Sequence, residues 1–248
     1  MYIYIIIIIL CIILFITNYL TQKSNIKIKS DSLVSSCWIN SSLYPEAQYI
    51  FDNKHIIEKE LEKILNSNKW SRWLSYDINC PTFTDMTPEE IKDKLSNSYG
   101  KMNEKDDGSW RLYGLILNSI PLENSNTCPK TMEVLSKVSR RILNAGFSVI
   151  EPGGQTNPHE GTCNKFYRLH IPLIIPQSNI DYYKLNKTSV IDINKLDTKN
   201  NLAIFQVKND MRIWVPDEYF IFDDTCLHNA CNNSNTNRIV LLVDLLKD

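Results

Sequence analysis

Four histidines are spread along the chain, at positions 55, 159, 170 and 228. Three of them fall in its second half, beside polar residues that a core would not normally recruit. In Phe166–Leu173 (FYRLHIPL), strand alternation sets Arg168 and His170 on one face and Tyr167, Leu169 and Ile171 on the other. Such a strand either exposes its polar face to solvent or lines a polar interior that holds an anion. Arg238 opens the run Arg238–Leu246 (RIVLLVDLL), which is otherwise apolar and reads as buried on both faces. An unpaired charge there costs roughly several kcal/mol. Asp244 shares the face of Arg238 but lies about 20 Å away at ~3.3 Å per residue. An external anion such as a carboxylate is therefore one partner for Arg238; the plainer alternative is an arginine that ends a turn in solvent. His228 precedes the Asn-rich turn leading to Arg238, and His159 follows a Pro-Gly-Gly turn. Two imidazoles from separate strands, with positions left open, suit non-haem iron holding a dicarboxylic ligand.

These residues need elements to carry them. After Gly146 the chain becomes a series of short apolar or alternating runs: Phe147–Glu151, Phe166–Ile175, Ser189–Ile193, Leu202–Val207, Met211–Val215, Tyr219–Phe222 and Arg238–Leu246. Turn residues separate them, and no internal repeat is visible. Many short strands without helices between them predict a sandwich or barrel. Before Gly146 the texture is helical. His55–Asn66 places Ile56, Ile57, Leu61, Ile64 and Leu65 on one face, and His55 itself reads as surface or packing. Pro88–Ser98 reads as a second helix with Thr87 as N-cap. Pro129–Asn144 reads as a third, stopped near Gly146. Trp110–Leu117 looks like a buried strand. A zinc-binding cupin, or a barrel for an apolar ligand, would share much of this pattern.

Composition limits the classes further. The 248 residues include 27 Lys plus Arg and 28 Asp plus Glu, a balance that excludes a nucleic-acid partner held by bulk charge. Tyr2–Thr17 carries no charge, and its apolar character fades over Asn18–Leu20. About 19 residues at roughly 1.5 Å each cross the hydrocarbon of a bilayer. The expected organisation is a transmembrane anchor over 1–21 (membrane contact through 2–20), a tether over 22–50, and a domain over 51–248. That domain divides into a helical buttress (51–146) and a β-rich core (147–248). Lys23, Lys27 and Lys29 all follow the span, which by charge alone puts the domain in the cytosol. Six cysteines outside the span permit disulfides. Asn40, Asn186 and Asn232 head glycosylation patterns that point to the lumen. The overall lean is lumenal, because long domains translocate despite a modest charge bias.

The run Ser148–Gly161 (SVIEPGGQTNPHEG), followed by Arg168-Leu169-His170-Ile171-Pro172-Leu173, resembles the signature of aspartyl/asparaginyl β-hydroxylases. So does Phe222–His228 (FDDTCLH), with Arg238 ten residues on; Trp110–Leu117 and Pro129-Lys130-Thr131 add to the likeness. The resemblance covers roughly Trp70 to the C-terminus. It implies a double-stranded β-helix, a cupin-like jelly-roll variant, and a dioxygenase using Fe(2+), 2-oxoglutarate and O2. By motif position His159 and His228 are the metal ligands and catalytic centre. Arg238 and Ser148 hold the distal carboxylate of 2-oxoglutarate, and Arg168 and His170 contact the carboxylate near the metal. Gly161 stands where commoner oxygenases place an acidic third ligand, as it does in the animal members, and Glu160 is not assigned as one. The substrate implied first is the β-carbon of Asp or Asn in a protein module. A lipid acyl chain at a membrane comes second, and a non-catalytic jelly-roll binding module third.

Overall fold

The computed structural model describes residues 37–72, 109–192 and 201–247. The expected anchor (1–21), the first part of the tether and the helix expected over 88–98 lie outside those residues. Among the described residues no helix is long and apolar enough to cross a membrane.

The protein is mainly β, built from two antiparallel sheets. The larger has the order β1-β10-β6-β12-β5-β3-β2, with β4 added on β3; the smaller has the order β11-β8-β9-β7. In chain order the strands are β1 (Trp38–Ile39), β2 (Ser71–Arg72), β3 (Trp110–Leu117), β4 (Ile120–Pro121), β5 (Ile142–Ile150), β6 (Phe166–Ile174), β7 (Val190–Ile191), β8 (Ala203–Val207), β9 (Asp210–Ile213), β10 (Phe220–Phe222), β11 (His228–Asn232) and β12 (Arg238–Leu246). Between β5 and β6 the chain crosses to the smaller sheet and bridges β11 through Gln155–Cys231 and His159–His228. From residue 142 onward the chain thus passes repeatedly between the two sheets, in the manner of a jelly roll.

β12 lies between β5 and β6 at the centre of the larger sheet. Ile239, Leu241, Val243 and Leu245 face one way and join the core cluster that includes Phe147, Val149, Leu169 and Ile171. Val240 faces the other way, into the space between the sheets, with Ile150, Phe205, Phe220, Phe222 and Trp214. Cover on both faces is why this strand is almost wholly apolar.

Helices α1 (Pro45–Asp52), α2 (Lys54–Ile64) and α3 (Pro129–Ser136) contribute Ala47, Ile50, Ile57, Leu61, Val134 and Leu135 to the outer cluster. Of the stripe its sequence predicts, α2 buries Ile57, Leu61 and Ile64, while Leu65 caps the helix and is exposed. Its Glu60, buried, accepts from the backbone N–H of Lys130 (2.9 Å) and Thr131 (2.6 Å). That carboxylate satisfies orphan donors at the start of α3.

Three expectations change. Residues 37–50 are not a tether: they form β1, a 3-10 turn over Ser41–Leu43 and most of α1, and the compact unit begins at Cys37. Cys37 is disulfide-bonded to Cys226, and Ala47 and Ile50 are fully buried. The third helix ends at Ser136, not Asn144, because Ile142–Asn144 already belong to β5, which ladders with both β12 and β3. Tertiary pairing here overrides helical spacing. Gly146 is accordingly no helix stop. It sits in mid-strand, where a Cβ would lie 2.8 Å from the Tyr113 carbonyl oxygen. Third, α4 (Gln177–Asn186) interrupts the β-rich half; it has no apolar stripe, and its buried residue is Asn179.

Candidate active site

His159 and His228 are brought face to face by an antiparallel bridge. Each backbone N–H donates to the other's carbonyl, at 3.0 and 2.9 Å, and the rings lie 4.2 Å apart. Each Nδ1 is 2.7 Å from a carbonyl two residues earlier, Asn157 for one and Cys226 for the other. A carbonyl only accepts, so Nδ1 carries the proton and Nε2 keeps its lone pair. Burial, and then the neighbouring His159, lower the His228 pKa to about 3. It is therefore a neutral donor at physiological pH. The Trp110 ring lies 6.1 Å from His159, and its Nε1 donates to Ser148 Oγ at 3.1 Å.

Gly161 and Asp224 explain why only two histidines meet. A Cβ on Gly161 would stand 1.9 Å from Asp224 Oδ2 and 2.7 Å from its Cγ. Asp224 already fills the place an acidic side chain at 161 would need. Its Oδ1 lies 3.5 Å from His228 Nε2. Glu160 is exposed. Asp223 is engaged with Thr225 (2.7 Å) and Lys247 (3.2 Å). Among the described residues no group of three His, Cys, Asp or Glu side chains forms a metal cluster. The arrangement fits a metal held by two imidazoles, with its remaining positions left to exogenous ligands.

Arg168 and His170 share the interior face of β6, as alternation requires, but their surroundings differ. Arg168 is clamped: Nε donates to Asp244 at 2.7 Å, Nη2 to the same carboxylate at 3.1 Å, and Nη1 to Asp224 at 2.5 Å. Asn144 Nδ2 donates to the other side of Asp244 at 2.8 Å. Asp244 is thus the partner of Arg168, not of Arg238. Although burial works against the charged guanidinium, the two carboxylates raise its pKa. Sequence reading assigns Arg168 to a co-substrate carboxylate; here three of its N–H donors meet Asp244 and Asp224, and Asp224 stands 3.5 Å from His228 Nε2. His170 is buried among Phe205, Trp214, Phe220 and Phe222, with ring centroids 5.1 to 6.1 Å away. Burial first, then Arg238 and Arg168, push its pKa well below the ordinary value.

Arg238 is 2% exposed, its Nη1 donates to the Ser148 carbonyl at 3.2 Å, and its guanidinium lies 4.4 Å over the Trp214 ring. Among the described residues no carboxylate pairs with it. Burial lowers its pKa to about 9. Three buried nitrogens here have no hydrogen-bond partner: His170 Nδ1, Trp214 Nε1 and Arg238 Nε. A buried cation among orphaned polar atoms fits an anionic ligand. Sequence reasoning missed Asp224, although it stands in the quoted Asp223-Asp224 pair, and Trp214, which no motif marks. The disulfide Cys37–Cys226 was equally out of reach, its partners being 189 residues apart.

The chain is similar to known proteins. A sequence profile described as Aspartyl/Asparaginyl beta-hydroxylase matches residues 52–248. The ornithine lipid ester-linked acyl 2-hydroxylase of Rhizobium tropici is 26% identical over 234 residues, covering 94% of this chain and 68% of that protein. The aspartyl/asparaginyl beta-hydroxylase of Mus musculus is 25% identical over 150 residues, covering 58% of this chain and 17% of that enzyme. The chain thus spans about a sixth of the mouse relative's length. A predicted oxalate decarboxylase from Thermotoga maritima overlaps 56% of this chain and 81% of its own, with 10% identity and a TM-score of 0.33.

Proposed function

The chain belongs to the aspartyl/asparaginyl β-hydroxylase family, and on that premise we propose that it is an iron(II)- and 2-oxoglutarate-dependent dioxygenase of the double-stranded β-helix class. The observation that carries the proposal is the facing pair of imidazoles, His228 buried and His159 half-buried, each with Nδ1 turned to a carbonyl, together with a buried arginine that has no acid beside it among the described residues. When bound, iron and 2-oxoglutarate supply the oxidising chemistry, with dioxygen consumed and the co-substrate decarboxylated to succinate.

The chain's own residues do the rest. His159 and His228 would hold the metal, their tautomers fixed by the Asn157 and Cys226 carbonyls. Arg238 would fork the distal carboxylate of 2-oxoglutarate. Ser148, next to it on β5, assists through its carbonyl, which orients the guanidinium. His170, neutral and walled by aromatics, would meet the carboxylate nearer the metal. Asp224, steadied by Arg168 and 3.5 Å from His228 Nε2, would keep a hydrogen-bond acceptor beside the metal-holding imidazoles.

The two substrate readings share one chemistry. The β-carbon of an Asp or Asn residue, and carbon 2 of an ester-linked acyl chain, are both adjacent to a carboxyl-derived carbonyl. We infer that the substrate presents such a carbon. The peptidyl reading follows the family description. The lipid reading is favoured by the match over 94% of this chain to a relative named for an acyl 2-hydroxylase. An anchor over residues 2–20 would suit either. Cys37–Cys226, and the disulfide bonding of Cys163, support a lumenal side, since disulfides persist in oxidising compartments.

The test is anaerobic iron binding followed by 2-oxoglutarate decarboxylation, on the protein and on His159→Ala. The expected outcome is binding and turnover in the first and neither in the second. Normal activity in His159→Ala would overturn the assignment.

A further inference from the structure

We propose that Trp214 is a positioning residue: its indole face holds Arg238 edge-on to the space between the sheets, and so sets the affinity for the distal carboxylate of the co-substrate. The inference rests on the dicarboxylate reading of Arg238 given above and adds to it the group that acts through Arg238.

Arg238 arrives from β12 and Trp214 from the chain just after β9, so the two belong to opposite sheets. Only folding brings the guanidinium carbon 4.4 Å over the ring. Trp214 is 1% exposed and is itself held in place. Asn179 of α4, fully buried, donates to the Trp214 carbonyl (3.1 Å) and the Ala203 carbonyl (2.8 Å) and accepts from Ala203 N–H (2.9 Å). That amide ties the Trp214 backbone to the start of β8, and the rings of His170, Phe205 and Phe220 pack around the indole. A guanidinium lying over an aromatic ring is attracted by the ring's face and keeps its N–H donors in its own plane. Those donors are what a carboxylate engages. One already meets the Ser148 carbonyl, and Nε is buried without a partner. With no acid among the described residues to compensate Arg238, the indole face and the Ser148 carbonyl are the contacts that steady the charge until an anion arrives.

The test uses the full chain, metal-free, with two probes. Glutarate carries two carboxylates at the co-substrate's spacing; butyrate lacks the distal one. Binding is read by calorimetry, and folding by melting temperature. Arg238→Met should abolish glutarate binding. Trp214→Leu, which keeps apolar volume without a ring, should weaken glutarate by about tenfold, and Trp214→Phe by about threefold or less. Butyrate binding should change in neither Trp214 variant. If Trp214→Leu does not fold, the Phe variant carries the comparison between the two probes. Folded Trp214 variants with unaltered glutarate affinity would overturn the proposal while leaving Arg238 in its role. Parallel losses of glutarate and butyrate would also overturn it, since they mark a merely structural residue. So would a Phe variant as impaired as the Leu one. Glutarate binding that survives Arg238→Met would overturn the dicarboxylate reading itself.

Discussion

The decisive side chains are few, and each is defined by what surrounds it. Arg238→Lys keeps the charge but loses the planar fork. It should raise the 2-oxoglutarate concentration needed for half-maximal turnover by tenfold or more, roughly, with a smaller effect on the maximal rate. Titrating co-substrate at saturating iron checks this, and an unchanged requirement would make Arg238 structural. Gly161→Ala would drive a methyl into the Asp224 carboxylate. It should cost about 1–3 kcal/mol of stability, as overpacking does. Asp224→Ala opens the space, so the added cost of Gly161→Ala in that background should fall sharply. Urea melts of the four proteins give the coupling. His170 supplies a pH signature. Its folded pKa lies well below 6.5, so the unfolded chain binds a proton that the native chain refuses. That contribution to stability is present above pH ~6.5 and is lost as pH falls below it, at up to about 1.4 kcal/mol per pH unit. His170→Phe should flatten the decline between pH 6.5 and 4.5 in the metal-free protein. Identical slopes would show that the His170 environment has been misjudged.

At the scale of elements, the loop between β10 and β11 carries Asp224, leads directly into His228 at the start of β11, and is tied down twice. The Cys37–Cys226 disulfide joins it to the residue preceding β1, and Asp223 N–H donates to the Cys37 carbonyl at 2.8 Å. The bond closes a long loop, its two ends 189 positions apart in the sequence. Cys37→Ser should therefore cost about 2–5 kcal/mol and weaken metal binding, because Cys226 also supplies the carbonyl that fixes the His228 tautomer. Denaturant melts and a metal titration check both. Unchanged metal affinity would show that the Asp223 contacts hold the loop alone. Two elements were misjudged from sequence for opposite reasons. The 129–144 run has helical spacing, but its last residues pair with β12, through Ile142 and Asn144. The α4 run has no stripe because polar Asn179 is its buried residue. Among the three glycosylation patterns, Asn40 and Asn186 are exposed, whereas Asn232 is fully buried and donates to the carbonyls of Ile150 and Thr236. Only the first two can carry a glycan in the folded protein.

For the whole molecule, the smaller sheet supplies His228, with His159 bridged to it, and the larger supplies His170 and Arg238. Hydroxylation of a carbon next to a carbonyl is the expected reaction, and the substrate decides between the two readings. Offered an Asp/Asn-containing protein module and an ester-linked acyl lipid in vesicles, the enzyme should add one oxygen to one of them with stoichiometric succinate. Mass spectrometry of both substrates reads the outcome. Succinate without hydroxylation of either would remove both candidates.

The sequence alone pointed to a sandwich or barrel and set His170 and Arg238 on strands, because alternation along a strand is a local property; His159, His228 and Ser148 were marked by the spacing of the family motif, and the roles of all five are proposals. It also determined α2, whose apolar stripe repeats at helical spacing. Only the tertiary structure decided that Arg168 belongs to Asp244 and Asp224, since those partners are 76 and 56 residues away. It likewise decided that Gly161 makes room for Asp224, that Trp214 underlies Arg238, and that residues 37–50 are part of the domain. In each case the determining fact is which surface the other sheet presents, and no periodicity along the chain records the face of a neighbour.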